Sequence, residues 1–111
     1  MKDPHLRLYH IRDAIERIED YAASGESAFL AERMRQDAIS RNMEIIGEAI
    51  RHLPVDLRAS VPELDWDEPI GMRNWLIHGY AVTDLGTVGK AVRDDLPILK
   101  SLILRLITGN S

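Results

Sequence analysis

Apolar residues recur along this chain at alternating steps of three and four, the period of one face of an α-helix. Leu8, Ile11, Ile15, Ile18 and Ala22 form a single stripe on a helix of about five turns. Asp3 and Pro4 open it as an N-cap followed by a first-position proline, and Ser24-Gly25-Glu26-Ser27 breaks it. A second long helix starts near Ser27 or Ala31. Its stripe is Ile39, Met43, Ile46, Ile50 and Leu53, widened by Ala38, Ile45 and Ala49, and Pro54 stops it. Residues 54–66 read as a connector with two prolines, whose Leu57, Leu64 and Trp66 cover the core. A third helix begins near residue 67, behind Asp65 or Asp67 as N-cap and with Pro69 in its first turn. It runs to about Tyr80, and Thr83-Asp84 open the next. That last segment turns Leu85, Val88, Val92, Leu96, Leu99, Leu102 and Leu106 inward. Pro97 falls inside this pattern and should kink or divide it, with Asp94 or Asp95 capping the second half. No stretch alternates with period two for long enough to make a strand. The expected fold is all-α, an antiparallel bundle of four main helices with a kinked or divided last helix.

The third helix carries the residues most suited to chemistry, Arg73-Asn74-Trp75-Leu76-Ile77-His78-Gly79-Tyr80. A permanent cation, an imidazole and a phenol fall within eight positions. The imidazole can move a proton near neutral pH, and the guanidinium can hold phosphate oxygens with a planar fork of donors. Such a pair is the minimum equipment for metal-free attack on a phosphodiester. At roughly 100° per residue Arg73 and His78 lie about 140° apart, while Arg73 and Tyr80 nearly eclipse. Gly71, Arg73, Asn74 and His78 share a broad arc with Ile70 and Ile77 in its middle. This reads as a cleft wall, where the helix meets another or its own copy across a two-fold axis, and Gly71 permits close approach there. The spacing alone is equally compatible with surface or interface residues that have no chemistry.

Composition narrows the setting. At 111 residues the chain is expected to be one domain, 1–111. It has no cysteine, which leaves no disulfide framework, thiolate nucleophile or cysteine-based zinc site. No signal peptide is visible behind Met1-Lys2-Asp3-Pro4-His5, and the longest apolar run, Leu102 to Ile107 broken by Arg105, is too short to span a bilayer. A cytoplasmic protein without membrane attachment is expected. The net charge of −4 counts against a general nucleic-acid binder, which usually carries a basic face. Attraction for RNA would have to be local, from Arg33, Arg35, Arg41 and Arg73.

Several blocks in order then make a resemblance. They are the helix from Ile11 to Tyr21, Gln36-Asp37-Ala38, Ile45-Ile46-Gly47-Glu48-Ala49, Gly71-Met72-Arg73-Asn74 with Ile77-His78 and Tyr80, and Asp95-Leu96-Pro97 with Leu99. Over nearly its whole length the chain resembles the HepT-like toxins of the HEPN superfamily, which are encoded beside a minimal nucleotidyltransferase, MntA. The family motif of Arg, four residues, His, one residue and Tyr is met by Arg73, His78 and Tyr80. Trp75 stands where relatives often have a polar residue, and Gly86 and Gly89 where they tend to have larger ones. The resemblance implies a homodimeric, metal-independent endoribonuclease without cofactor, its two Arg/His motifs facing one cleft. It further implies a toxin–antitoxin pair in which the nucleotidyltransferase silences the toxin by transferring AMP to Tyr80.

In that reading Arg73 and His78 are catalytic and Asn74 supports them through its amide, holding His78 or a phosphate. Glu48 either bonds to the motif helix or is solvated, and Asn42 is a satisfied buried amide. His5, His10 and His52 are surface residues without metal-ligand spacing. Met34, Met43 and Met72 fill core or interface, and Trp75 stacks on a base or, more simply, packs on a bundle or dimer surface. An alternative from another class is a non-catalytic helical partner or nucleotide-binding subunit of a nucleotidyltransferase. The intact motif spacing favours the enzyme and the acidic charge favours the binding module.

Overall fold

A computed structural model describes residues 4–79 and 84–109 of the chain, Pro4 by its backbone only. The regular elements of the described residues are all helical: α1 (Pro4–Ala22), α2 (Glu26–Ala31), α3 (Arg33–Arg51), α4 (Val55–Ala59), α5 (Asp67–Ile77), α6 (Leu85–Lys90), a π-helical turn (Ala91–Asp95) and α7 (Leu96–Thr108). The apolar stripes account for the core. Leu8, Ile11, Ile15 and Ile18 of α1 are wholly buried, as are Ile39 and Ile50 of α3 to within 1%. Each such side chain stabilises the fold by roughly 1.5–3 kcal/mol relative to leaving it in water. Helix α1 packs against α3 and α7, and α3 packs against α5 as well. The expected inward residues of the last segment are buried or half-buried, joined by Ile103, which the sequence reading omitted and which is fully enclosed.

Three local features depart from expectation. The second helix is two helices, because Glu32 between α2 and α3 is extended (φ −117°, ψ 108°). Gln36 Nε2 donates to the Phe29 and Leu30 carbonyls that this break frees, and Arg35 bonds the Tyr21 carbonyl. Buried Phe29 anchors α2 to the body. The connector contains a one-turn helix, α4, and its Val61 is fully buried beside half-buried Leu57 and Leu64. Trp66 is buried too, its indole donating to the Arg58 carbonyl at 2.9 Å and the Val61 carbonyl at 3.1 Å.

The third departure concerns Pro97. The proline sits in the first turn of α7, where it cannot donate to the carbonyl four residues earlier and its ring would crowd that carbonyl. The chain accommodates it by widening to a π turn, in which the Leu96 amide donates to Ala91 five residues back. The helix is thus divided by a change of winding rather than by a fresh cap, and the Asp95 side chain makes no cap hydrogen bond. Asp84 does cap α6, accepting from the Thr87 amide at 3.1 Å and the Thr87 hydroxyl at 2.7 Å. These donors hold its carboxyl below the usual range against a smaller effect of burial. Asp3 and Thr83, expected at helix starts, lie outside the described residues. Met34 is 86% exposed and fills no core, whereas Met43 is buried and Met72 half-buried. Asn42 is the satisfied amide expected of it, accepting from Arg17 Nε at 2.7 Å and donating to the Ala38 carbonyl at 2.9 Å.

Candidate active site

The motif helix α5 has defined ends. Asp65 Oδ1 accepts from the Asp67 amide at 3.1 Å, and Asp67 and Glu68 in the first turn complement the helix dipole. At the other end Gly79 takes a left-handed conformation (φ +81°) and donates to the Leu76 carbonyl at 2.9 Å. Left-handed backbone suits glycine and commonly terminates helices. The helix therefore stops at Ile77, short of the expected end near Tyr80, and His78 occupies the C-cap (φ −79°, ψ 1°). Tyr80 itself lies outside the described residues.

Arg73 is placed by a glycine on the neighbouring helix. A Cβ at Gly47 of α3 would stand 2.5 Å from Arg73 Cβ and 2.7 Å from the Pro69 carbonyl oxygen. Only a residue without a side chain lets the helices meet this closely. Close approach was expected of Gly71, yet an added Cβ there has no neighbour within 4 Å. Within the chain the tight contact belongs to Gly47. Gly71, Asn74, Ile77 and His78 form the exposed face of α5.

On the α3 side, Arg73 Nε lies 2.8 Å from Glu48 Oε2. The N–H does not point along this contact, so Oε2 has a charge partner but no hydrogen bond although the atom itself is out of contact with solvent. Oε1 of Glu48 accepts from Arg51 at 3.2 Å and sits 3.3 Å from His52 Nδ1. Desolvation pushes the Glu48 carboxyl upward, but the Arg51 hydrogen bond and the charges of Arg51, Arg73 and His52 outweigh it and leave the group below its ordinary value. Glu48 thus meets the motif helix through an ion pair and not through the hydrogen bond expected of it, and its side chain remains 37% exposed.

Asn74 joins the two motif residues. Its side-chain Oδ1 accepts from Arg73 Nη1 at 3.2 Å, and its main-chain carbonyl lies 2.7 Å from His78 Nδ1. A carbonyl can only accept, so this contact places the proton on Nδ1 and the neutral ring's lone pair on Nε2. Of the roles expected of the Asn74 amide, a hold on His78 falls instead to the backbone carbonyl, while the side chain bonds Arg73.

A polar pocket of about 230 Å³ opens beside Arg73, with Arg7 and His10 of α1, Arg41, Glu44 and Glu48 of α3 on its walls. His78 is not among its lining residues. Arg41 and Arg73 were expected to supply local positive charge and are brought together here. Arg33 and Arg35 sit at the far end of α3, paired with Asp37 and Glu32. Arg7 is not singled out by the sequence, because nothing in its position says which helix it faces, and His10, expected at the surface, is exposed there on the pocket's wall. Gly47 did leave a signal, since a glycine in mid-helix costs up to ~1 kcal/mol relative to alanine and calls for a packing reason. A wider, largely apolar groove of about 700 Å³ lies on the opposite side of α5, where Gly71, Met72 and Trp75 face Ala91, Leu96 and Leu99. Among the described residues no three His, Asp or Glu side chains converge as a metal site would require, and no helix is long and apolar enough to cross a membrane.

Comparison with known proteins adds the family. The sequence profile described as "Ribonuclease HepT-like" matches residues 11–106. A Methanocaldococcus jannaschii protein named "Gamma-glutamylcyclotransferase and putative RNase" is 40% identical over 107 residues, covering 96% of this chain but only 48% of that protein. The chain thus spans about half the length of that relative. The "Probable ribonuclease HepT" of Thermococcus cleftensis is 38% identical over 100 residues, 89% of this chain and 91% of its own. A third relative, a "Putative RNase" of M. jannaschii, is 33% identical over 100 residues and is covered to 92%. No solved structure matches. With most of its length matched by the profile and by near full-length relatives, the chain belongs to the HepT-like ribonuclease family.

Proposed function

We propose that this protein is a metal-independent endoribonuclease, with Arg73 and His78 as its catalytic residues and Asn74 as their support. The observation that carries this reading is the placement of both motif residues on Asn74, with the Nδ1 contact leaving the His78 lone pair on Nε2. RNA brings its own nucleophile. The 2′-oxygen attacks phosphorus, its proton passes to Nε2 of a neutral His78, and the bond from phosphorus to the 5′-oxygen breaks as an acid protonates that oxygen. Arg73 stabilises charge on the non-bridging oxygens, the kind of contribution that usually dominates such catalysis. The products are a 2′,3′-cyclic phosphate and a 5′-hydroxyl. Cleavage of labelled RNA in EDTA tests the mechanism: dependence on added Mg²⁺, or products with 5′-phosphate ends, would overturn it.

The required acid is the His78 of a second copy. The helices form a HEPN-type antiparallel four-helix bundle that pairs as a homodimer through the exposed face of α5. The support is that Gly71, Asn74, Ile77 and His78 all point away from the chain's own core and that Ile77 is 50% exposed. Gly71→Leu should weaken dimer and activity together, and a fully active monomer in sedimentation would contradict the shared site. The reading extends to a cytoplasmic toxin held in check by an MntA-like nucleotidyltransferase. There the Tyr80 oxygen attacks the α-phosphorus of ATP, releasing pyrophosphate and leaving AMP on the phenol. The added phosphodiester competes with RNA for Arg73. Intact mass after incubation with the partner enzyme and ATP should rise for wild type and stay constant for Tyr80→Phe; equal gains would place the modification elsewhere.

A further inference from the structure

Arg7 and Arg41 differ from most arginines of this chain. Among the described residues neither takes part in a hydrogen bond or ion pair, whereas Arg12, Arg33, Arg51, Arg93 and Arg105 are each tied to a carboxylate. Both line the polar pocket beside Arg73, one from α1 and the other from α3. The acids on its walls do not cancel them. Glu48 is engaged with Arg51, His52 and Arg73, which leaves Glu44 as the one other carboxylate of the lining, with His10 as a further donor. Two uncommitted guanidiniums held apart on separate helices suit an anion with several acceptor oxygens. At about 230 Å³ the space is below that of ordinary small-molecule sites. Its lining contains no Phe, Tyr or Trp, so no such ring is present on which a base could stack.

We propose that the pocket is a backbone subsite in which Arg7 and Arg41 hold an RNA phosphate adjacent to the one that Arg73 serves. The inference rests on the ribonuclease reading and adds where the substrate strand runs: off the end of α5 and into the angle between α1 and α3. It also explains how an acidic protein draws RNA, since three arginines (Arg7, Arg41, Arg73) meet only two carboxylates (Glu44, Glu48) in this pocket.

The test uses a fluorescein-labelled single-stranded 2′-O-methyl RNA, which lacks the nucleophile, so that binding is measured without cleavage. Arg7→Gln and Arg41→Gln should each weaken affinity and flatten the plot of log K against log salt by about 0.7, one phosphate contact on a single strand. Arg41→Lys should restore the slope, and Arg93→Gln, on the π turn, should match wild type. Cleavage of ordinary RNA at saturating concentration should persist in both Gln variants, placing the effect in KM. Wild-type affinity and slope in both variants overturn the subsite and leave the nuclease reading intact. A loss confined to kcat overturns it as well, by making these arginines catalytic. Arginine-dependent binding with no cleavage of ordinary RNA by wild type sinks the nuclease reading while the phosphate subsite stands.

Discussion

Replacing Gly47 by alanine adds one methyl group at the point where α3 supports Arg73. That carbon would lie 2.5 Å from Arg73 Cβ and 2.7 Å from the Pro69 carbonyl oxygen, whereas carbon atoms in good contact sit about 3.5–4.0 Å apart. Neither neighbour is the tip of a flexible side chain, so α5 must move by about an ångström. Overpacking of this kind costs ~1–3 kcal/mol, against a helix-propensity gain of up to ~1 kcal/mol. The expected net effect runs from about zero to ~2 kcal/mol of destabilisation. Gly71→Ala is the matched control, a helical glycine with nothing within 4 Å, and should gain up to ~1 kcal/mol. Urea unfolding of the two variants at one protein concentration gives the comparison directly. Activity of Gly47→Ala should fall below that of wild type, because misplacing a catalytic group by about 1 Å can cost on the order of a hundredfold. A Gly47→Ala protein as stable as Gly71→Ala and as active as wild type would refute the close contact and with it the account of how Arg73 is positioned.

Other expectations follow from the same contacts. Glu48 has a carboxyl lowered from 4.5 in the folded protein, so its contribution is complete above that value and is lost as pH falls through the lowered one. Acid titration of stability should therefore be shallower in Glu48→Gln than in wild type, and the variant should also lose turnover as Arg73 is released. Trp66→Phe removes the indole donor from the Arg58 and Val61 carbonyls, which keep their backbone donors, and should cost ~0.5–1.5 kcal/mol in denaturant unfolding. Ile103→Ala opens a cavity at a fully buried position and should cost ~2–5 kcal/mol by the same measurement.

Helical periodicity made the long elements legible because burial selects one face of each. Leu8, Ile11, Ile15 and Ile18 repeat at that period and all are enclosed. The break at Glu32 was not legible. No proline or glycine marks it, and the Phe29 and Leu30 carbonyls it frees are satisfied by the Gln36 side chain, contacts that exist only once the two helices have formed. Pro97 was visible, but its outcome was not, since a proline can kink a helix or be absorbed by a wider turn. In the candidate site, motif spacing singles out Arg73 and His78 without saying how they are held. The spacing carries the end of α5 too far, to Tyr80, because it does not mark Gly79 as a left-handed stop. The contributions of Gly47, Arg7 and Arg41 depend on which helix lies opposite, information that one helix's spacing does not contain.

The central claim is that Arg73 and His78 cleave RNA together without a metal. The most direct measurement is the single-turnover rate on labelled RNA in EDTA for wild type, Arg73→Ala and His78→Ala, each verified as folded by circular dichroism. Both substituted positions are at least partly solvent-exposed, so the fold should survive the changes. The account predicts cleavage by wild type and a loss of on the order of a hundredfold or more in each variant, the usual scale for a lost acid–base group or charge stabiliser. Equal rates in all three proteins would contradict it.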